Sequence, residues 1–349
     1  MKKWLPNWRM FSLFSFLALF LAGCGEANLS ALRPVGEVAD MQLSLIVLST
    51  VIMTLVVLVV TIIFIYVVVK FRQREGDEEF IPKQVEGSHK LEVIWTVIPI
   101  LLLLILAVPT VSYTFKLADV TPMEDEEQDA LVVNVTAHLY WWEFEYPDYG
   151  VVTAQDLVVP TDERVYFNLK ASDVKHSFWI PTAGGKMDTN TDNVNQMWLS
   201  FDSDRSAAAE NLLYGKCAEL CGPSHALMDF KVQTMSRAEF EQWIESMQNV
   251  EHTTPDTELA QAGEAIYAQS CIGCHAISGT QGSIGPNLAN FGDRSRIAGV
   301  LDHTEEDLYN WLDDPETYKP ANKMTGMYPK LNPNELDALV EYLMGLKLE

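Results

Sequence analysis

Basic residues are scarce in this 349-residue chain: 24 Lys and Arg stand against 48 Asp and Glu, a formal net charge of −24. A polyanion would be repelled, which excludes nucleic-acid binding. Cysteine is rarer still, and five are too few for a disulfide scaffold. No internal repeat is present, and charge is missing altogether from residues 41–69 and 93–115. Apolar residues, by contrast, are abundant. A hydrophobic content of 48% with 10% aromatics excludes an intrinsically disordered chain. A chain at once so apolar and so acidic must segregate the two. Residues 1–115 carry nine basic and nine acidic side chains, whereas residues 116–349 carry 15 and 39. The length is enough for two or three domains.

The neutral third is a membrane address. Residues 1–23 read as an export signal, with Lys2, Lys3 and Arg9 ahead of a short uncharged stretch. The stretch ends Leu21-Ala22-Gly23-Cys24, which resembles a bacterial lipobox and implies lipidation of Cys24. The plainer reading is a signal peptide with an incidental cysteine. Residues 24–117 form a two-helix transmembrane region, because runs of 29 and 23 uncharged residues (41–69 and 93–115) can each cross a hydrocarbon core of about 30 Å. Lys70, Arg72, Arg74, Lys83 and Lys90 between them place that link in the cytoplasm. Cys24 and everything after residue 116 are then outside, giving a multi-pass lipoprotein of a bacterial cell membrane. Pro99 and Pro109 predict kinks, which neighbouring helices must accommodate. The pair is therefore expected to pack on another membrane protein.

The acidic part divides in two. Residues 118–249 open on a solvated acidic linker around Glu124–Glu127. Short alternating or β-branched runs follow at 131–136, 151–159, 165–169, 194–201 and 230–234, predicting an all-β sandwich or barrel. Ser236 and Glu239 form a capping box opening a helix through Gln248. Residues 250–257 read as a linker. Residues 258–349 read as helical to Ser270, loop-rich to about Pro329, and helical from Asn334 to Leu346.

Two clusters carry chemistry. The segment Cys217-Ala-Glu219-Leu-Cys221-Gly-Pro-Ser-His225-Ala-Leu-Met228 holds two thiols, an imidazole and a thioether, with Gly222-Pro223 breaking any helix through them. A loop around a soft metal fits, and thiolate, imidazole and thioether together favour copper. Structural zinc and a Cys217–Cys221 disulfide are the rivals. His176 lies on a strand of the same module. Further on, Cys271-Ile-Gly-Cys274-His275 is the c-type haem attachment motif: two thiols for the haem vinyls and a histidine for the iron. A redox Cys-x-x-Cys is the alternative.

The pattern C-x-E-x-C-G-x-x-H-x-x-M, with Asp173-Val174-Lys175-His176-Ser177-Phe178 upstream, resembles subunit II of the haem–copper cytochrome c oxidases over residues 40 to 249. The resemblance implies a cupredoxin-like barrel with a binuclear copper centre, CuA. Its ligands would be His176, Cys217, the Glu219 carbonyl, Cys221, His225 and Met228. The Glu219 carboxylate would hold a magnesium ion at the boundary with subunit I. It also implies that an aromatic strip above the copper receives electrons. Tyr140 stands where the family usually has Trp, followed by Trp141 and Trp142. Glu92, at the start of the second apolar run, matches a residue at the mouth of a proton channel in subunit I; its simpler role is to face a helix dipole. Residues 258–349 resemble the class I cytochromes c, an all-α fold. Met324 in Lys319–Met324 is expected as the sixth iron ligand, with Met327 its competitor. The Pro286 carbonyl is expected to orient His275. His89, His138, His252 and His303 read as surface residues.

Together the resemblances imply a caa-type subunit II with a fused cytochrome c, passing electrons one at a time from haem to copper and on to subunit I, where oxygen is reduced to water and protons are pumped. Its partners would be subunit I, other oxidase subunits, the bilayer, and a cytochrome c or upstream reductase as donor. Fusion would raise the effective concentration of the haem at the copper without any docking affinity. A copper-handling membrane lipoprotein and a quinol oxidase subunit II are the alternatives, but the first needs no covalent haem and the second neither metal site.

Overall fold

The computed structural model describes residues 11, 12, 14–16, 25–72, 81, 83–123, 130–251, 254–280 and 282–348. Cys24, His252 and the acidic stretch Glu124–Glu127 lie outside them. Two apolar helices, α1 (Glu37–Lys70) and α2 (His89–Leu117), each exceed the length needed to span a bilayer. Both are longer than the uncharged runs, because polar and charged residues complete the end turns. Pro99 and Pro109 lie inside α2.

The β module is two five-stranded sheets. One has the order β3-β2-β1-β5-β8 and the other β4-β10-β9-β6-β7. The first contains β1 (Leu131–His138), β2 (Trp141–Tyr146), β3 (Val151–Ala154), β5 (Arg164–Ala171) and β8 (Asn195–Ser200). The second contains β4 (Asp156–Pro160), β6 (His176–Trp179), β7 (Met187–Thr189), β9 (Leu212–Cys217) and β10 (Asp229–Met235). Pairing is antiparallel except between β1 and β5 and between β4 and β10. Alternation in β1 puts Leu131, Val133, Val135 and Ala137 inside. Rings from the two sheets meet there: Trp142 with Phe178 (5.7 Å) and Phe230 (5.3 Å), and Phe178 stacked on Phe230 at 5.0 Å. Each such ring contributes roughly 1.5–3 kcal/mol by burial alone.

The predicted run 151–159 is two strands rather than one. Gln155 takes φ +68° between them, and the chain crosses from one sheet to the other. Val35 and Ala39 also pair with the barrel, through Thr182 and Ala183. After the short helix α3 (Ser203–Ala207) and the strands β9 and β10, the capping box of Ser236 and Glu239 opens α4 (Arg237–Gln248), which buries Phe240, Ile244 and Met247.

The C-terminal module pairs α5 (Glu258–Ser270) with α8 (Pro333–Met344). They touch at Gly263, where a Cβ would collide with the Ala338 carbonyl. The stretch predicted to be loop also holds a hairpin, β11 (Arg296–Ile297) and β12 (Leu301–Asp302), and two helices, α6 (Glu305–Asp313) and α7 (Pro315–Tyr318). Thr304 caps α6 by accepting from the Asp307 N–H, and Leu308 and Leu312 anchor it.

Candidate metal and haem sites

Strands deliver the first cluster. His176 opens β6, Cys217 closes β9, and the turn after β9 folds back to bring Cys221, His225 and Met228 over them. Cys217 Sγ lies 3.8 Å from Cys221 Sγ, 3.9 Å from His176 Nδ1 and 3.3 Å from the Glu219 carbonyl. Cys221 Sγ lies 3.7 Å from His225 Nδ1 and 3.9 Å from Met228 Sδ. The sulfurs are not bonded to each other, so the disulfide reading is not realised. His176, Cys217 and Cys221 can all reach one ion. A thioether and a backbone carbonyl beside two thiols form a soft donor set that suits copper better than zinc.

Proton placement favours metal binding at Cys217, whereas Cys221 and His176 must give up protons when a metal enters. A hydrogen bond from Cys221, helped by His176, pulls the Cys217 thiol down to about 3, while Cys221, keeping the pair's proton, is pushed up. His176 is fully buried, which disfavours its cationic form, but its Nε2–H donates to Asp173 Oδ1 at 2.9 Å and the net effect is upward. Its Nδ1 is thereby left as the donor facing the sulfurs.

Asp173 is a residue the sequence reading did not assign to the site. Its carboxylate also accepts from the Leu139 and Val174 N–H groups and from Lys323 Nζ. These bonds outweigh its burial and hold it well below the usual carboxylate range. Its place three residues before His176 was the available signal. The Glu219 carboxylate lies 3.8 Å from Lys186 Nζ. In α2, exposed Glu92 sits 3.7 Å from His89 Nδ1.

The second site is a cavity of about 810 Å³ between the C-terminal module and the barrel edge at Tyr140 and Trp141, lined by Cys271, Cys274, His275, Met324 and Met327 among others. Its volume suits a large planar group, and its walls are mainly apolar. His275 Nδ1–H donates to the Pro286 carbonyl at 2.8 Å, leaving Nε2 as the ligand atom, and burial lowers its pKa toward the neutral form a metal needs. Met324 is half-buried against the module core, whereas Met327 is 67% exposed. Burial pushes the Cys271 thiol up to about 11.

The rings of the aromatic strip are enclosed. Tyr140, Trp141, Trp142, Phe144 and Tyr146 are all buried. Trp142 packs edge-on to His176 and donates its indole N–H to the Met228 carbonyl at 3.3 Å. Tyr140 and Trp141 line the haem-sized cavity. His138, read as a surface residue, is instead stacked on Trp141 at 4.1 Å, and burial lowers its pKa to about 4. His303 is likewise half-buried, beside Phe291 at 5.3 Å. Neither is a plain surface histidine.

Comparison with known proteins agrees with this division. Residues 39–113 match the transmembrane domain of cytochrome c oxidase subunit II, residues 150–235 match its periplasmic domain, and residues 260–347 match cytochrome c. Cytochrome c oxidase subunit 2 of Bacillus sp. (strain PS3) is 63% identical over 100% of both chains. The protein of the same name from Bacillus subtilis (strain 168) is 57% identical over 98% of this chain and 99% of its own. That of Alkalihalophilus pseudofirmus is 45% identical over 100% of this chain and 99% of its own. The chain, anchored in the membrane by its apolar helices, belongs to the cytochrome c oxidase subunit II family and carries a cytochrome c domain fused at its C-terminal side.

Proposed function

We propose that this subunit takes electrons into a proton-pumping terminal oxidase, relaying them one at a time from a covalent haem c to a CuA centre and on to the haems of subunit I, where oxygen becomes water. The haem and the copper pair, when bound, supply one-electron acceptance and release. The chain's own residues supply the rest. Cys217, Cys221, His176, His225, Met228 and the Glu219 carbonyl would hold the copper. Cys271 and Cys274 would attach the haem, and His275 and Met324 would hold its iron. Asp173 and Pro286 orient the two buried histidines through their second nitrogens. Tyr140 and Trp141 line the haem-sized cavity and Trp142 packs on His176, where these rings would exclude water.

The same proposal puts lipid on Cys24, both redox modules on the outer face of a two-span membrane region, magnesium on the Glu219 carboxylate, and a proton-channel role on Glu92. The excess negative charge would recruit a basic soluble donor; turnover indifferent to ionic strength would remove that idea.

The observation that carries the reading is the pair of unbonded thiols within 4 Å of two imidazoles, a thioether and a carbonyl. Metal and haem analysis of the full chain, with optical and EPR spectra, tests it. A mixed-valence copper pair and one low-spin haem per chain are expected; zinc or a single copper would reject it.

A further inference from the structure

One buried charge pair belongs to neither ligand set. Asp156 of β4 is 2% exposed, and Arg294, between Asp293 and β11, is 5% exposed. Asp156 Oδ2 accepts from Gln233 Nε2 at 3.0 Å, and the Ser295 backbone supplies a further bond. Arg294 Nη2 donates to the Asn287 carbonyl and, at 3.4 Å, to Asn290 Oδ1. Burial pushes the Asp156 carboxyl upward, and the strongest opposing charge is Arg294. Burial pulls Arg294 down to about 10, opposed by Asp156, so the guanidinium stays charged near neutrality. Lys231, the register partner of Asp156 on β10, is the second cation acting on it. Asp229, Lys216 and Arg296 surround that lysine, and His303 lies within the field of Arg294. The other elements against β4 bring no buried charge: β3 is uncharged, and α4 buries Phe240, Ile244 and Met247.

The pair is wired to the haem-sized cavity. Arg294 and buried Gln155, the neighbour of Asp156, both line it. Three buried polar atoms here have no partner: Arg294 Nε, Gln155 Nε2 and Ser295 Oγ. Buried donors of this kind call for an oxygen-bearing or anionic group beside them. The Arg294 charge also reaches His275, where it opposes protonation of the ring. A charge arriving in the cavity therefore acts on Arg294 and, through it, on Asp156, with little water between to screen it. An added electron disfavours a second negative charge nearby and so favours a proton on the carboxylate.

We propose that Asp156 exchanges a proton in step with the electron carried in the cavity, and thereby sets the haem potential. When the external donor delivers one electron, the Asp156 carboxylate takes up to one proton from solvent, forming one O–H bond. When that electron leaves for the copper, the same proton returns to solvent. The inference rests on the relay reading above. Asp156 touches no metal ligand and acts through Arg294, so it is a positioning residue. A carboxylate on the barrel thus makes the haem potential fall as pH rises: the ionised form favours the oxidised state, and protonation removes that preference.

The test uses the assembled oxidase, with the haem band titrated against potential at a series of pH values. At fixed potential the ratio of reduced to oxidised haem should fall by up to about tenfold per pH unit where the carboxylate titrates, the limit for one proton per electron. Asp156→Asn, which keeps an oxygen for Gln233, should hold the potential at the parent's low-pH value throughout, and Asp156→Glu should restore the slope. A haem potential independent of pH in the parent, or a slope unchanged in Asp156→Asn, would overturn the proposal. So would a slope that survives in Asp156→Asn but disappears in Lys231→Met or His303→Gln, which would assign the proton elsewhere. A purely structural loss would alter haem content or spectrum without flattening the slope. Should Asp156→Asn fail to fold, redox-difference infrared spectra of the parent protein decide. A protonated-carboxyl band that moves on 13C-aspartate labelling should appear as the haem is reduced, and its absence would refute the assignment. A chain that binds no covalent haem would instead remove the relay reading itself, an outcome distinct from a haem whose potential ignores pH.

Discussion

The two cysteine pairs of this chain face opposite demands. Cys217 and Cys221 sit in a cluster whose donors already lie 3.3–3.9 Å apart, with one thiol pulled down to about 3 by its neighbours. Cys271 and Cys274 border a cavity of about 810 Å³, and burial pushes Cys271 up to about 11. A small ion can be held where strand ends and a turn meet, outside a core that is complete without it. A large flat group must itself be the core. The barrel closes on stacked rings such as Phe178 and Phe230, whereas the helices of the cytochrome module enclose a space.

Loss of each group should therefore have very different consequences. Cys271→Ser with Cys274→Ser should unfold the cytochrome module while leaving the barrel intact. At about 24 cal/mol per Å³, an empty cavity of this size would cost roughly 20 kcal/mol, an upper figure because it opens to solvent, against a typical domain stability of about 5–15 kcal/mol. Hydrogen exchange resolved by module should show protection lost after residue 258 and kept before 249; uniform loss would break the contrast. Cys217→Ser should abolish the paired-copper EPR signal and electron flow past the haem. The barrel's melting transition should nonetheless persist, and the haem should remain reducible. If oxidation proceeds normally in that variant, the order of carriers is wrong.

Smaller effects sharpen the comparison. Trp142→Phe removes the indole bond to the Met228 carbonyl and should cost about 1–3 kcal/mol, read as a lower urea midpoint together with an altered copper spectrum. Burial lowers Lys319 to about 7 and Lys231 to about 8, below their values in the unfolded chain. The native state then binds fewer protons between about pH 7 and 10.5, so stability should rise with pH through that window, by about 2 kcal/mol from pH 7 to 9 for Lys319. Lys319→Met should flatten that slope; a slope of the opposite sign would contradict the burial of the lysine. Ser236→Ala, which removes half of a capping box on the barrel's own helix, should cost about 1 kcal/mol and leave both redox sites unchanged.

Much of this was legible in the sequence because the signals are local. Uncharged runs marked α1 and α2, the Ser236–Glu239 spacing marked α4, and the spacing of thiols and histidines marked the two sites. What escaped was set by distant parts. Gln155 carries no turn signature, yet its positive φ sends the chain from one sheet to the other. Thr304 and the acidic residues after it were an unread cap for α6. Lys231 and Lys319 look like solvated charges in sequence, because the carbonyls they bond lie 68 and 21 residues away. His138 was misread for a different reason: Trp141 is only three residues on, but the stacking appears only once β1 and β2 pair.

The crossing at Gly263 has a consequence for biogenesis. The helix leading into Cys271 and Cys274 is gripped by α8, which lies far along the chain from it, so these thiols have no finished walls until α8 is in place. Such a module is shaped by long-range closure rather than by local order. A chain cut short before α8 would leave both sulfurs with nothing to enclose them.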